Sequence, residues 1–251
     1  MAENTTYTQY DITGDKKPDT IKIQATYNGY GNGERIAVYI NGRRAFSKKM
    51  YFNYAEAQLI TLKNGKPFLY LSTPADNDDA DVRGIFKYSK GTLKQVINGN
   101  RGFGKKIGYH FGADIKAVSG NKIVVTHRTM SYMAGSICSD FTYKYQNGTL
   151  KKTSATTNLK VGTRKSNTYT ALKNMKAYKN TTCKTAKFTI KKGQKVKFLK
   201  VHVKGNTVRF QVKAGGKIGW IKVATNMDSS LLYRDNQVTT RPPFKGLFLA
   251  G

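Results

Sequence analysis

The sequence predicts an all-β protein. Short runs of alternating apolar and polar residues recur along the chain, and many are separated by Asn-Gly, Lys-Gly or Gly-Asn pairs, which mark β-hairpin turns. No segment of useful length repeats its apolar residues at the helical period. A length of 251 residues suits one large or two small domains. We therefore expect two domains, both built from strands.

The first predicted domain covers residues 1–153 and is a series of hairpins. Within it, Phe86–Lys94 returns 57 residues later as Tyr143–Lys151, a spacing that suggests propeller blades of four strands each. About three such units fit before Thr153, fewer than a closed propeller uses. The sequence therefore favours a propeller-like domain, either a partial propeller or a β-sandwich built from the same hairpins.

The rest of the chain is predicted as a linker, a small barrel and a tail. Residues 154–170 are rich in Thr, Ser, Asn and Lys and are interpreted as the linker. In residues 171–226, apolar and polar residues alternate with period two on both sides of the Gly205-Asn206 turn, which predicts hairpins with one buried face. Residues 227–251 form the tail, and we expect its apolar residues to dock on the core: Phe244, Leu247, Phe248 and Leu249.

Two motifs in the barrel point to a family. The segment Lys192-Gly193-Gln194-Lys195-Val196 begins a strand, and Gly215-Gly216-Lys217-Ile218-Gly219-Trp220-Ile221 ends the stretch with the only tryptophan. Together they resemble the bacterial SH3-like domain, whose last hairpin carries Gly-x-x-Gly-Trp. The resemblance covers about a quarter of the chain. It implies a small barrel, and such domains are commonly implicated in cell-wall attachment.

An acidic loop opens the chain. Side chains with oxygen atoms occupy relative positions 1, 3, 5 and 9 of this loop, a pattern that suits calcium. The candidate metal-site residues are Asp11, Thr13, Asp15, Lys17 and Asp19. Gly14 lets the loop turn tightly, and a strand follows. The segment resembles the calcium loops of FG-GAP and VCBS repeats in integrin-like β-propellers, which implies one bound calcium ion. The alternative is an Asx-turn before the strand, with no ion.

Basic residues are concentrated in the second half of the chain. Phe141–Met227 contains 21 of the 44 Lys and Arg residues and none of the 14 acids. A surface of one sign attracts polyanions. The residues expected to face outward and bind a polyanion are Lys184, Lys187, Lys191, Lys192, Lys195, Lys197, Lys200, Lys204, Arg209, Lys213, Lys217 and Lys222. Basic surface that serves only solubility is the alternative.

The residues do not favour an enzyme. The one nucleophile set, Cys138 with His127 and Asp140, precedes a strand and lacks the helix that activates a thiolate, so a cell-wall cysteine peptidase is a minor alternative. Nothing marks the facing carboxylate pair of a glycosidase. Cys138 and Cys183 are either one disulfide or two thiols.

These observations leave two binding hypotheses. The first is a secreted or cell-wall-associated protein of a Gram-positive-type bacterium that contacts anionic wall polymer or peptidoglycan. Met1–Thr6 has no basic start and no apolar segment, so we expect a mature form without its signal peptide. The second is a nucleic-acid binder, since six aromatic residues lie among the lysines: Tyr169, Tyr178, Phe188, Phe198, Phe210 and Trp220. Most of the six occupy apolar positions of their strands, so we expect most of them in the core.

Overall fold

The computed structural model describes residues 1–76, 79–104, 107–131, 133–161, 166–223 and 243–247. Antiparallel strands make up most of these residues, and the helical structure among them includes a turn of 3₁₀ helix at Gly99–Arg101. The predicted all-β fold class is confirmed. Within the same residues, no helix has the length and hydropathy needed to cross a membrane.

The chain divides into two compact units. The N-terminal unit contains Met1–Asn100, Gly112–Val125 and Thr142–Lys152. The C-terminal unit contains Arg101–Phe111, Thr126–Phe141 and the described part of Thr153–Gly251. Arg101–Phe111 and Thr126–Phe141 belong to the first domain predicted from the sequence, whereas in the structure they cluster with the second unit.

The first two sheets lie in the N-terminal unit, and each has four strands paired in chain order. The first sheet consists of β1 (Thr5–Tyr10), β2 (Asp19–Tyr27), β3 (Gly33–Ile40) and β4 (Arg43–Phe52). The second sheet consists of β5 (Glu56–Thr61), β6 (Pro67–Pro74), β7 (Ala80–Ser89) and β8 (Thr92–Asn98). Both are the up-and-down meanders that short hairpin turns produce.

The third sheet repeats this arrangement. The next strands along the chain are β9 (Gly108–Ser119), β10 (Lys122–Ser131), β11 (Gly135–Gln146), β12 (Thr149–Lys152), β13 (Thr156–Asn158) and β14 (Lys160–Val161). The third sheet has the order β12-β11-β10-β9, with β14 paired to β11, whereas β13 belongs to the last sheet. The repeat found in the sequence therefore falls on equivalent hairpins, β7–β8 and β11–β12.

Apolar residues from alternate positions form the core of the N-terminal unit. Ile23 and Val38 of the first sheet and Leu69 and Leu71 of the second belong to one buried cluster. Strand β6 is buried along its whole length because its other face is also covered. On that face, the ring of Phe68 lies 5.8 Å from the ring of Tyr145.

The last sheet is a half-barrel in the C-terminal unit. Its strands are β15 (Thr168–Ala171), β16 (Met175–Tyr178), β17 (Ala186–Ile190), β18 (Lys195–Lys204), β19 (Thr207–Ala214), β20 (Lys217–Lys222) and β21 (Phe244–Lys245). They are ordered β17-β16-β20-β19-β18-β15-β21, and β13 also pairs with β18. The short strands β13 and β14 lie in the segment that sequence analysis interpreted as a linker.

Phe198 is the centre of the half-barrel core. Its side chain is fully buried, and it makes edge-on contacts with Tyr169, Phe210 and Phe244 at ring-centroid distances of 5.1, 5.4 and 5.1 Å. Phe244 belongs to the C-terminal tail and enters through β21, which pairs with β15. Apart from residues 243–247, the tail lies outside the described residues, and so do Phe248 and Leu249.

Candidate functional site

Buried and solvent-facing residues alternate along the strands of the half-barrel, which separates its outer face from its core. On β18, Val196, Phe198, Val201 and Val203 are buried, and the residues between them are exposed or half-buried. The alternation slips once because the strand pairing with β19 is interrupted between Phe198 and Lys200. One extra residue, Leu199, occupies that place as a β-bulge, which keeps Val201 and Val203 on the inner face.

The predicted polyanion-binding residues lie on the solvent side. Arg209 is half-buried, and all eleven lysines of the predicted set are exposed. No acidic side chain among the described residues forms a salt bridge with any of the twelve. The set therefore provides a cationic surface whose charge is not neutralised within the part of the chain that the structure describes.

Several of these cations directly oppose one another across neighbouring strands. Lys197 on β18 is opposite Lys213 on β19, and Arg209 on β19 is opposite Lys222 on β20. Like charges in this arrangement destabilise a sheet. The half-barrel thus tolerates a repulsion that an anionic ligand would relieve.

Two aromatic rings lie within this charged surface. Trp220 on β20 pairs directly with Tyr178 on β16, and both side chains are half-buried on the outer face. The ammonium group of Lys222 is 5.4 Å from the centre of the Tyr178 ring, and the ring of His202 is 6.2 Å from that of Trp220. Tyr169, Phe198 and Phe210 are buried as predicted, whereas Tyr178 and Trp220 are not core residues.

A close approach of two strands places these rings side by side. A Cβ atom on Gly219 would lie 3.0 Å from the Cβ of Ala177 and 3.0 Å from the ring of Phe188. Both distances are tighter than ordinary van der Waals contacts, so glycine permits β20 to run this close to β16. The next residues along each strand, Trp220 and Tyr178, then point outward together.

His202 lies on the same face, in surroundings that favour its neutral form. Burial lowers its pKa below the ordinary value, and the nearby charges of Lys204 and Arg209 lower the pKa further. One ring nitrogen is 2.9 Å from the hydroxyl of Thr156 on β13. An anion bound beside His202 would favour the protonated ring, because an opposite charge stabilises the charged form.

The carboxylates of the predicted calcium loop hold backbone amides. Asp19 accepts hydrogen bonds from the amides of Ile12 and Thr13 at 2.8 and 2.9 Å, and Asp11 accepts from the amides of Gly14 and Lys16 at 2.5 and 2.8 Å. Burial by itself raises the pKa of Asp19. The hydrogen bonds from Thr13, Asn41 and Ile12 outweigh burial, so its pKa is below the ordinary value.

Among the other three candidate positions, Asp15 accepts a hydrogen bond from the amide of Lys17 at 2.9 Å, and the hydroxyl of Thr13 lies 3.4 Å from Asp11. The bond from the Asp15 carboxylate to the amide two residues later is that of an Asx-turn, the alternative that the sequence left open. Across the described part of the chain, no group of three or more His, Cys, Asp or Glu side chains is placed to hold a metal ion. Calcium binding stays a prediction.

The candidate cysteine-peptidase set is not brought together. His127 is fully buried, and its ring lies 5.8 Å from that of Phe141 on one face of the strand. Cys138 and Asp140 alternate with Phe141 along β11 and so point to the opposite face, where Asp140 accepts a hydrogen bond from Thr126 at 2.7 Å. A thiolate and imidazole in contact, which this chemistry requires, do not arise from this arrangement.

The two cysteines are both thiols in the structure. Cys138 is half-buried and Cys183 is buried. Burial raises the pKa of the Cys183 thiol, and this effect outweighs the opposing influence of Arg209 and Lys222. Of the two states that the sequence allowed, the structure has the thiol state.

Comparisons with protein-family models, with curated protein sequences and with solved structures gave no match to this chain.

Proposed function

We propose that this chain is a non-enzymatic binding protein that holds a phosphate-rich anionic polymer of a bacterial cell wall on the outer face of its half-barrel. The observation that carries the proposal is the acid-free cationic surface, in which Lys197 opposes Lys213 and Arg209 opposes Lys222. The resemblance to bacterial SH3-like domains supports the same partner. A secreted or wall-associated location follows from that partner, and peptidoglycan carrying the polymer belongs to the same setting.

The chemistry of the cations favours a flexible polymer over one defined anionic group. Lysine outnumbers arginine 34 to 10 in the chain. Lysine acts as a point charge on a flexible stem, whereas arginine forms paired hydrogen bonds to a single carboxylate or phosphate. Exposed lysines spread over several strands suit repeated contacts with successive phosphates. In this proposal the N-terminal unit serves recognition, with calcium at Asp11–Asp19 as a structural clamp.

Nucleic acid is the second candidate, and one observation favours it. Trp220 and Tyr178 stand side by side on the cationic face, where a base can stack. Stacking of a base on an aromatic side chain contributes about 1–3 kcal/mol in single-strand binders. The sequence predicts that most of these aromatic residues are buried. The exposure of part of Tyr178 and Trp220 therefore supports this candidate.

Titration of the intact protein tests the proposal. Purified polyol-phosphate wall polymer and single-stranded DNA are each titrated at about 50 and about 200 mM salt, because purely electrostatic binding falls steeply over this range. The fluorescence of Trp220, the only tryptophan, reports on the face itself. We expect the wall polymer to remain bound at the higher salt concentration and DNA to be released.

A matched pair of variants locates the binding. Lys200→Gln removes a charge from the row that contains Trp220, since Lys200 is opposite Gln211 and Gln211 is opposite Trp220. Lys63→Gln removes the same charge from a turn of the N-terminal unit and serves as the control. If DNA alone survives the higher salt, the second candidate replaces the first. If both polymers are released and both variants behave alike, the surface has no specific partner.

A further inference from the structure

The first sheet has a polar outer face to which the proposed function assigns no ligand. Its inner face is apolar, and Ile21, Ile23 and Ile36 are fully buried there. On the opposite face, strands β2, β3 and β4 place residues in rows, such as Thr26, Arg35 and Lys49, which lie directly opposite one another. This face lies within the N-terminal unit and is distinct from the half-barrel surface.

Two hollows of ligand size lie along this face. The first is about 350 Å³ and is lined by Thr6, Thr20, Lys22, Gln24, Tyr39 and Gly42. The second is about 570 Å³ and is lined by Thr26, Asn28, Gly33, Glu34, Arg35, Lys49, Met50 and Tyr51. Both volumes fall in the range of small-molecule sites. Tyr39 and Arg35 are four residues apart on β3, roughly 13 Å along the strand, so the two hollows can hold successive units of one extended ligand.

The lining side chains define the chemistry of that ligand. Neutral hydroxyl and amide groups line both hollows, including those of Gln24, Thr26 and Asn28. Such groups donate and accept hydrogen bonds. The second hollow has three charged side chains, of which Arg35 and Lys49 are cations and Glu34 is an acid. A tyrosine ring borders each hollow, and a tyrosine ring offers an apolar face together with a polar edge. This combination suits a ligand made of rings that carry many hydroxyl groups.

The second hollow also carries a pair of cations. Arg35 and Lys49 are directly opposite each other across β3 and β4, which is unfavourable for like charges. Within the described ranges, neither forms a salt bridge with an acidic side chain. An anionic group in the hollow would complement both. Arginine is well shaped for a carboxylate because its guanidinium group can form two parallel hydrogen bonds to it.

Tyr51 is held in place beside these cations. Its hydroxyl donates a hydrogen bond to Asp76 at 3.3 Å, and Asn53 donates to the other oxygen of the same carboxylate at 3.4 Å. The ring is nevertheless 47% exposed. A fixed and exposed aromatic ring loses little conformational freedom when a ligand stacks on it.

We propose that the outer face of the first sheet binds an acidic saccharide chain. The sugar rings stack on Tyr39 and Tyr51, the hydroxyl groups bond to the threonine and amide side chains, and a sugar carboxylate lies between Arg35 and Lys49. This site is independent of the half-barrel, so either site can fail its test without the other.

Binding of two matched oligosaccharides to the full chain tests this site. Oligogalacturonate carries carboxylates, and an oligogalactose of the same length does not. Calorimetric titration at about 200 mM salt limits non-specific charge attraction, because the screening length is then below about 8 Å. We expect oligogalacturonate to bind and oligogalactose to bind about tenfold more weakly or not at all.

Neighbouring residues supply the controls. Lys49→Ala and Tyr51→Ala should each weaken oligogalacturonate binding about tenfold. Lys48→Ala removes the same charge, but Lys48 lies outside the hollow and pairs with Asp81 at 3.4 Å. Tyr54→Ala removes a ring that is 48% exposed and does not line the hollow. Both controls should bind within about twofold of the unmodified chain.

Three results would overturn the proposal. No binding of oligogalacturonate removes the site. If Lys48→Ala and Lys49→Ala weaken oligogalacturonate binding equally, binding depends on overall charge and not on this hollow. If Tyr51→Ala and Tyr54→Ala weaken it equally, the Tyr51 ring is not part of the site. Melting curves of all four variants, which should match that of the unmodified chain, exclude misfolding as the cause.

Discussion

The loop before β2 and the outer face of the half-barrel differ in how their charged groups are partnered. In the loop, each oxygen of Asp19 accepts at least one hydrogen bond, from the amides of Ile12 and Thr13 and from the side chain of Asn41. On the half-barrel, Lys197 and Lys213 are opposite one another without an acid nearby in sequence. The first arrangement uses charge to fix the backbone. In the second, repulsion between like charges lowers stability, and the charges stay exposed to solvent.

This contrast predicts that the half-barrel is stabilised mainly from inside. Phe198 is fully buried among Tyr169, Phe210 and Phe244, so Phe198→Ala removes a large side chain and leaves a cavity. We expect a loss of about 3–5 kcal/mol in the free energy of unfolding. Chemical denaturation followed by the fluorescence of Trp220 measures it, because this residue lies in the same sheet.

Leu199→Ala is the control for that substitution. Leu199 is the half-buried bulge residue next to Phe198, so truncation there leaves no closed cavity. Its cost should be well below that of Phe198→Ala. Equal costs at the two positions would mean that the aromatic cluster does not hold the half-barrel together.

The loop predicts a smaller effect that depends on pH. Asp19→Asn places an amide donor where the carboxylate accepts hydrogen bonds. We expect the free energy of unfolding to fall by about 1–3 kcal/mol at pH 7. The folded pKa of Asp19 is lowered, so its contribution is complete above the unfolded value of about 3.9 and is lost as pH falls through the folded value. Thermal melting of both chains from pH 7 to pH 3 should show the difference shrinking below about pH 4.

Calcium separates the two interpretations of this loop. If Asp19 only caps the turn, the cost of Asp19→Asn is the same in calcium and in chelator. If the loop binds calcium as the sequence predicts, the ion raises the melting temperature of the unmodified chain, and the cost is larger in calcium. A difference between wild type and variant that does not change between pH 7 and pH 3 would contradict the capping role.

The smallest expected effect is a gain in stability. Lys213→Glu replaces a repulsive pair with an attractive one opposite Lys197, which should stabilise the half-barrel by about 0.2–1 kcal/mol while weakening polyanion binding. The midpoint of denaturation measures the gain. Lys217→Glu is the control, because Lys217 is opposite Ala214. Equal gains in both variants would show relief of the overall charge and not of this pair.

Sequence patterns were sufficient for the elements of the fold and for the charged surface. Period-two alternation predicts which side of β18 and β19 is buried, and the same alternation places the lysines outside. Asn-Gly and Lys-Gly pairs mark the hairpins of the first three sheets. These features depend on neighbouring residues alone, so the sequence carries them directly.

Other features depend on contacts between distant segments. The polar composition of β13 predicts a linker, but backbone hydrogen bonds to β18 need no apolar side chains. Trp220 was grouped with residues expected in the core, although it directly precedes the buried Ile221 and so must point the other way. That neighbour was the signal that would have placed Trp220 outside. The assignment of Thr126–Phe141 to the C-terminal unit has no local signal.

The 57-residue repeat has a further consequence for how such a chain can grow. The amide of Lys63 donates to the carbonyl of Gly120, and the amide of Asn64 donates to the side chain of Asn121. Each partner lies 57 residues after the donor, so equivalent turns of two copies bond to each other through different groups. A head-to-tail contact of this kind leaves the same donors and acceptors on the terminal copies. Duplication or loss of one copy would therefore lengthen or shorten the array without a new interface.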